Sequence, residues 1–432
     1  MAKFLFTVLP LPGHLFPQIS IAQALRARGH QCAFYTGPRG AKVLEGEGFP
    51  HFPFRCFDED HLYKTLFSGE RGGMSLGGWR QYQKMLRDWL LGTIPGQLAD
   101  ITPLLAQWQP DVIVTDIAVW GPILVLWETT GIPVVLSSFV PGCMIPGPDA
   151  PPFGLGLPRP KNLPARLLSK AVGIATDLLA SRFRREVNEI RQSHGLPPIH
   201  TSVPAFTGTL PLHLVRGVRE FDYNRSDLPP CVHYVGACEW NRPRHEAPAV
   251  WLEELPKDRP WVHVSEGTVH VGESFLLKSA IGGLSHRGME VIMTTGGDRE
   301  PSELGLGDLA PNIHLVRWVS HSELMPRTAA MVTTGGAGTV LASLAAGVPL
   351  VITPTEWDKP EIAQRVVEFG AGLRIEPRKC TPKALRGAVE RLLNEPSFRK
   401  NAQRLAAMFA QTGGADSAAS LLEGVVAAKT AE

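Results

Sequence analysis

No long hydrophobic run occurs in the 432 residues of the sequence. The most apolar stretch, Val112 to Leu126, is broken by Asp116, Gly121 and Pro122, short of the roughly 20 apolar residues that cross a bilayer. Met1 to Leu9 carries one Lys and a short apolar run that Pro10 stops, with no small-residue cleavage site. A cytoplasmic location without stable membrane insertion is therefore expected. Charge is sparse, at 19% of residues, and nearly balanced, with 43 Lys and Arg against 41 Asp and Glu. That balance excludes an electrostatic nucleic-acid binder, which needs a basic excess. The six cysteines are scattered, and although Cys231 and Cys238 lie close, no matching pair completes a zinc site. No metal centre is expected. The Gly-Lys-Ser/Thr of a phosphate-hydrolysing loop is absent, and no G-x-G-x-x-G follows the first strand. These two gaps count against an NTPase and a dinucleotide oxidoreductase.

Apolar residues make up 44% of the chain, which can bury large cores. The length exceeds what one core usually serves, so at least two domains are expected. Gly (43) and Pro (38) are well above average use and lack a collagen-like period, so they read as turn punctuation. Lys3 to Leu9 suits a buried parallel strand. A helix follows whose first turn takes Pro17 and whose one face carries Ile21, Ala22 and Leu25, with Gly29 at its C-cap, and Gln31 to Tyr35 restarts a strand. This is a βαβ unit. It recurs as Asp111 to Thr115, a helix over Gly121 to Thr130, and Pro133 to Ser137. Residues 58 to 108 read as mostly helical, Pro141 to Pro164 as a long loop, and Ala165 to Ser193 as one amphipathic helical segment. A second series runs from Trp261 to Thr353, and the Pro- and charge-rich segment Asn241 to Pro260 connects the two. The expected class is α/β, two doubly wound domains with a ligand in the cleft between them.

Chemistry-bearing residues fall at strand ends. His14, in Pro12-Gly13-His14, sits on the loop after the first strand, where a histidine can take a proton at neutral pH or merely cap the next helix. Asp116 ends a strand at the same sheet edge. A carboxylate there can fix an imidazole's tautomer, or cap the helix near Gly121, and Asp111 competes from the other end of that strand. Thr334-Gly335-Gly336-Ala337-Gly338-Thr339 follows a strand and opens a helix, a place where free amides meet an anion. Its alternative is a tight strand-to-helix turn. Ser265-Glu266-Gly267-Thr268 is a second such loop, and Trp318 offers a flat face for a base or packs in a core.

Taken together, Asn312 to Val319, the Thr334 glycine loop, Gly347-Val348-Pro349-Leu350 and Asp358-Lys359-Pro360-Glu361 resemble the donor-binding signature of the family-1 glycosyltransferases. Pro12-Gly13-His14 and Thr294-Thr295-Gly296-Gly297 match two further loops of that family. The likeness runs over nearly the whole chain and is closest to bacterial natural-product and carotenoid-type members. It implies the GT-B fold, two Rossmann-like domains facing across a cleft: an acceptor-binding domain over 1–240 and a nucleotide-sugar domain over 241–432. It also allows the last helix to pack back on the first domain, and a homodimer. The implied reaction is a metal-independent, inverting transfer from a UDP- or dTDP-sugar, needing no other cofactor. In it His14 deprotonates an acceptor hydroxyl and Asp116 steadies the imidazolium. Trp318 stacks on the nucleobase, Gly335, Gly336, Gly338 and Thr339 bind the diphosphate, and Val319 and Thr334 also belong to the donor-binding set. Thr268 borders the phosphates, while Asp358 and Lys359 face the sugar. Preorganised donors at the leaving diphosphate would lower the barrier.

The sequence departs from the family pattern at five positions. Thr334 replaces a usual His, His321 and Lys359 replace frequent Gln, Ile362 replaces Asn, and Ala342 stands where an acidic ribose ligand is common. Loss of one phosphate donor can cost about 10²-fold in rate. Thr334, Ala342 and Ile362 raise an alternative, a nucleotide-sugar-binding protein of GT-B fold with weak or no catalysis that partners another transferase. A phosphorylase or epimerase of the same shape leaves the Pro12-Gly13-His14 loop without a purpose. Phe57 to Trp89 and Pro141 to Leu168 mix aromatic and aliphatic residues. They are expected to form an apolar pocket for a polyketide, terpenoid, carotenoid or phenolic alcohol.

Overall fold

Short apolar strands alternate with helices twice along the chain, and each series closes its own parallel sheet. The computed structural model describes residues 1–67, 76–139, 144–240, 249–268, 273–296 and 299–431. Gly297, and parts of the expected acceptor segments (68–75 and 141–143) and of the connection (241–248), lie outside them. The first sheet contains β1 (Lys3–Thr7), β2 (Gln31–Thr36), β3 (His51–Pro53), β4 (Val112–Asp116), β5 (Val134–Phe139), β6 (Leu212–Arg216) and β7 (Val232–Gly236). Their spatial order is β3-β2-β1-β4-β5-β6-β7, and the pairs are parallel. The second contains β8 (Trp261–Ser265), β9 (Glu290–Thr294), β10 (Ile313–Val316), β11 (Thr328–Thr333), β12 (Leu350–Ile352) and β13 (Gly372–Arg374), in the order β10-β9-β8-β11-β12-β13. These are the two doubly wound α/β domains expected.

Helices cover both faces of each sheet, so strands such as β4 and β8 are buried along their whole length and carry few polar residues. The helix Gly414–Ala431 returns from the second domain to the first. It packs on the helix Pro12–Ala27 and places Ala418, Ala419 and Leu422 in the core beneath it.

Three expectations change. The helix after β1 starts at Pro12, so His14 lies in its first turn and not on a loop, and Pro17 is inside the helix. Pro12, with its φ already helical, supports the earlier start. The single helix over Gly121 to Thr130 is a π-turn, Pro122–Leu126, followed by one α-turn, Trp127–Thr129. Thr129 and Thr130 donate their hydroxyls back to the Val125 and Leu126 carbonyls, which helps to end it. The segment Ala165 to Ser193 is two helices, Leu163–Leu179 and Ser181–Ser193, meeting at Ala180.

Candidate active site

In a doubly wound sheet the strand order reverses at one point, and loops leaving that point diverge to open a crevice. Here the reversals lie between β1 and β4 and between β8 and β11. His14 and Asp116 follow β1 and end β4, while Glu266 and Thr334 follow β8 and β11. The topology thus brings the sequence candidates to two facing crevices.

In the first, His14 Nδ1 lies 2.6 Å from Asp116 Oδ2. A carboxylate only accepts, so in the neutral ring the proton belongs on Nδ1 and the lone pair on Nε2. The histidine is 16% exposed and the aspartate 1%, so solutes reach the ring but not its partner. Asp111, the competing carboxylate, sits at the opposite strand end and accepts the Lys3 N–H at 2.8 Å. Phe139 meets the imidazole edge-on, with centroids 5.7 Å apart.

Arg216, which the sequence reading passed over, completes this corner. Pro17 has no N–H to give the carbonyl four residues earlier, that of Gly13. Arg216 Nη1 takes up that carbonyl at 3.1 Å, and its Nε donates to Ser138 O at 3.3 Å. The arginine is 2% exposed, and its charge acts on both Asp116 and Asp358. Its signal in the sequence is the one that marks Asp116, a charged residue closing an apolar run, Leu212 to Arg216.

In the second crevice the glycine loop turns at Gly335, whose φ of +95° favours glycine and whose added Cβ would meet Ile352 at 2.8 Å. Gly336 then caps the nine-residue helix Ala337–Ala345 without any side-chain cap bond. An added Cβ at Gly336 or Gly338 would meet nothing within 4 Å. The first-turn amides therefore open onto the cleft, with a helix dipole behind them. Thr334 is 2% exposed and donates its hydroxyl to Glu266 O at 2.9 Å. That bond ties the two loops of the switch point together, so the hydroxyl serves the backbone. Glu266, quoted in the sequence but given no role, accepts the Leu276 N–H and pairs with Arg299.

Thr268, Trp318, Val319, Thr334, Gly336, Gly338, Thr339, Asp358 and Lys359 line one continuous cleft of about 2010 Å³ with His14. Gly335 and Asp116 stand behind its wall. Trp318 is 37% exposed and borders the cleft, whereas Val319 is 4% exposed and packs with Leu324 and Trp261. Ala342 and His321 also line the cleft. Burial holds the His321 imidazole down at about 4, so it is a neutral donor or acceptor at neutral pH. No group of three or more His, Cys, Asp or Glu able to hold a metal occurs among the described residues.

Asp358 sits at the N-terminus of the helix Lys359–Phe369. Desolvation pushes its carboxyl up to about 6, against the pull of the Lys359, His14 and Arg216 charges. A raised folded pKa means that the native state holds the proton more tightly, so this group lowers stability as pH rises from about 4 to 6. Asp358→Asn is expected to raise the melting temperature at pH 7.5 and to leave it unchanged near pH 3.5. Thermal scans at the two pH values check this, and an equal effect at both would overturn it.

The first-domain half of the cleft is largely apolar. Trp89, Trp120, Phe139, Phe153, Ile174 and Phe183 face it from the two expected segments and beyond. Trp89 also meets Trp357 of the second domain edge-on, at 5.5 Å between centroids. No helix among the described residues is long and apolar enough to cross a membrane.

Residues 279–423 match the family described as erythromycin biosynthesis protein CIII-like, C-terminal domain. The 4'-demethylrebeccamycin synthase of Lentzea aerocolonigenes is 34% identical over 432 residues, covering 98% of this chain and 100% of the relative. The demethyllactenocin mycarosyltransferase of Streptomyces fradiae is 27% identical, covering 99% and 87%. Among solved structures, the glycosyltransferase VinC in complex with dTDP superposes with a TM-score of 0.68 at 22% identity, covering 99% and 100%.

Proposed function

The chain belongs to the bacterial natural-product glycosyltransferases of GT-B fold, enzymes that use nucleotide sugars, and on that premise we propose an inverting transfer to a hydroxyl of a lipophilic small molecule with His14 as base. The 2.6 Å contact of His14 with Asp116, at the mouth of an apolar half-cleft, carries this reading. His14 Nε2 removes the acceptor hydroxyl proton while the oxygen attacks the anomeric carbon. The bond from that carbon to the diphosphate breaks on the opposite face, and its electron pair leaves with the diphosphate. Asp116 stabilises the imidazolium so formed.

The nucleobase lies on Trp318 with Val319 beneath. The diphosphate takes the amides of Gly336, Gly338 and Thr339, and the Thr339 hydroxyl, with Thr268 at its border. Gly335 and Thr334 set the loop's shape. Asp358 and Lys359 hold the sugar hydroxyls, and charge developing on the leaving group meets donors already in place. No metal is needed for that stabilisation. The co-substrate is a UDP- or dTDP-sugar, and the solved VinC complex with dTDP favours dTDP. The acceptor is a polyketide, terpenoid, carotenoid or phenolic alcohol, which the aromatic wall suits.

The test is a panel of UDP- and dTDP-sugars against hydroxylated polyketides, terpenoids, carotenoids and phenols, read by mass spectrometry, with product anomers assigned by NMR. A β-linked product from an α-linked donor is expected. Retention of the α configuration would refute the single displacement.

A further inference from the structure

Of Asp358-Lys359-Pro360-Glu361, the last residue has no part in the transfer just described, yet it is the most buried of the four, at 1% exposure. Its Oε1 accepts the N–H groups of Gly154 at 3.0 Å and Gly156 at 2.6 Å, both from the first domain. Its Oε2 accepts Arg365 Nη1 at 3.2 Å. Nearly two helical turns beyond, Glu368 accepts the Arg159 N–H at 2.5 Å. From the neighbouring strand β13, Arg374 Nη1 donates to Gly156 O at 3.1 Å. Gly156 itself is at φ +57° and so close to the helix that a Cβ there would lie 2.8 Å from Pro360. The first-domain segment 154–159 is thus laid along a second-domain helix and fastened at three places.

The two ends of this contact face different substrates. Pro152, Phe153, Gly154 and Leu155 line the apolar half of the cleft, while Asp358, Lys359 and Pro360 line the donor half. A buried carboxylate is costly unless its oxygens are filled by donors. Here two of those donors are backbone amides of the acceptor wall, so the charge is spent on the register between wall and helix.

We propose that Glu361 is a positioning residue that fixes the acceptor wall, residues 152–159, against the helix bearing the donor-sugar residues. Acceptor recognition then depends on it and nucleotide binding does not. The inference rests on the transfer reading above for its function, but the fastening itself can be measured without turnover.

Two variants test it from opposite sides, Glu361→Gln and Gly156→Ala. Hydrogen exchange of the full chain without substrate, read by mass spectrometry, is expected to quicken about ten-fold at 153–159 in both. With dTDP-glucose and 4-methylumbelliferone as probes, the acceptor KM is expected to rise about ten-fold. Hydrolysis of dTDP-glucose should increase relative to transfer, while dTDP affinity by calorimetry stays within about two-fold. Unchanged exchange in both variants overturns the fastening. Faster exchange with an unchanged acceptor KM overturns its role in recognition, and so does an equal loss of dTDP affinity. A wild-type protein that transfers sugar to nothing in the wider panel counts against the transfer reading, and the exchange result then stands alone.

Discussion

His14→Ala is expected to lower kcat by about 10³-fold with dTDP binding unaltered, because general-base catalysis by one side chain is worth on the order of 10²–10⁴. The proposed base lies in the first domain and the proposed diphosphate amides in the second, so the two effects should separate. Asp116→Asn should cost nearly as much by a different route. An asparagine amide can donate to Nδ1, which moves the ring proton to Nε2 and removes the lone pair that takes the acceptor proton. His14 and Asp116 are in contact at 2.6 Å, and with the proposed roles they act as one unit, so the double variant should be little worse than either single one. Steady-state kinetics with the best donor and acceptor from the panel check all three. Full activity in His14→Ala would remove it as the base, and additive losses would separate the two residues.

Arg365→Met is expected to cost the largest share of stability, about 3–5 kcal/mol, out of a typical total of about 5–15. Arg365 is 3% exposed, and its Nε donates to Asp222 at 2.8 Å while its Nη1 reaches Glu361. Asp222 is 0% exposed and also accepts the Tyr234 hydroxyl at 2.6 Å. Removing the arginine leaves two carboxylates without their shared cation inside protein, which is where broken ion pairs cost most. Urea or thermal unfolding should show it, and Asp222→Asn in the same chain should return part of the loss, as coupled partners do. A loss under about 1 kcal/mol would mean that the cluster is more hydrated than its burial indicates.

Much of the frame could be read from the sequence, because each principal strand is an apolar run and its closing residue breaks the pattern. Asp116 at the end of β4 and the Gly335-Gly336 turn after β11 are of this kind. The strands β3, β7 and β13 are not legible, because three to five residues with exposed or half-buried positions carry little periodic signal, and β6 is missed as well although it is a fully buried apolar run. His14 was read onto a loop since Pro17, not Pro12, looked like the start of the helix. What stayed hidden was the pairing of distant residues. Arg216 with Gly13, Thr334 with Glu266, and Glu361 with Gly154 each join parts of the chain that no local pattern links. The Thr334 case also changes the meaning of a departure from the family motif. The residue in place of the usual histidine has its hydroxyl hydrogen committed to a carbonyl, so that hydrogen is not free to be donated to the proposed diphosphate.

The return of Gly414–Ala431 to the first domain bears on how the chain acquires its structure during synthesis. The core under the helix Pro12–Ala27 includes Ala418, Ala419 and Leu422, and Arg28 and His30 bind Glu423. These partners are made only after the entire second domain. At about 5–20 residues per second, the apolar underside of the first domain waits tens of seconds for its cover. The second domain has all its strands in hand earlier, so the half that holds the proposed catalytic base is the half that finishes last.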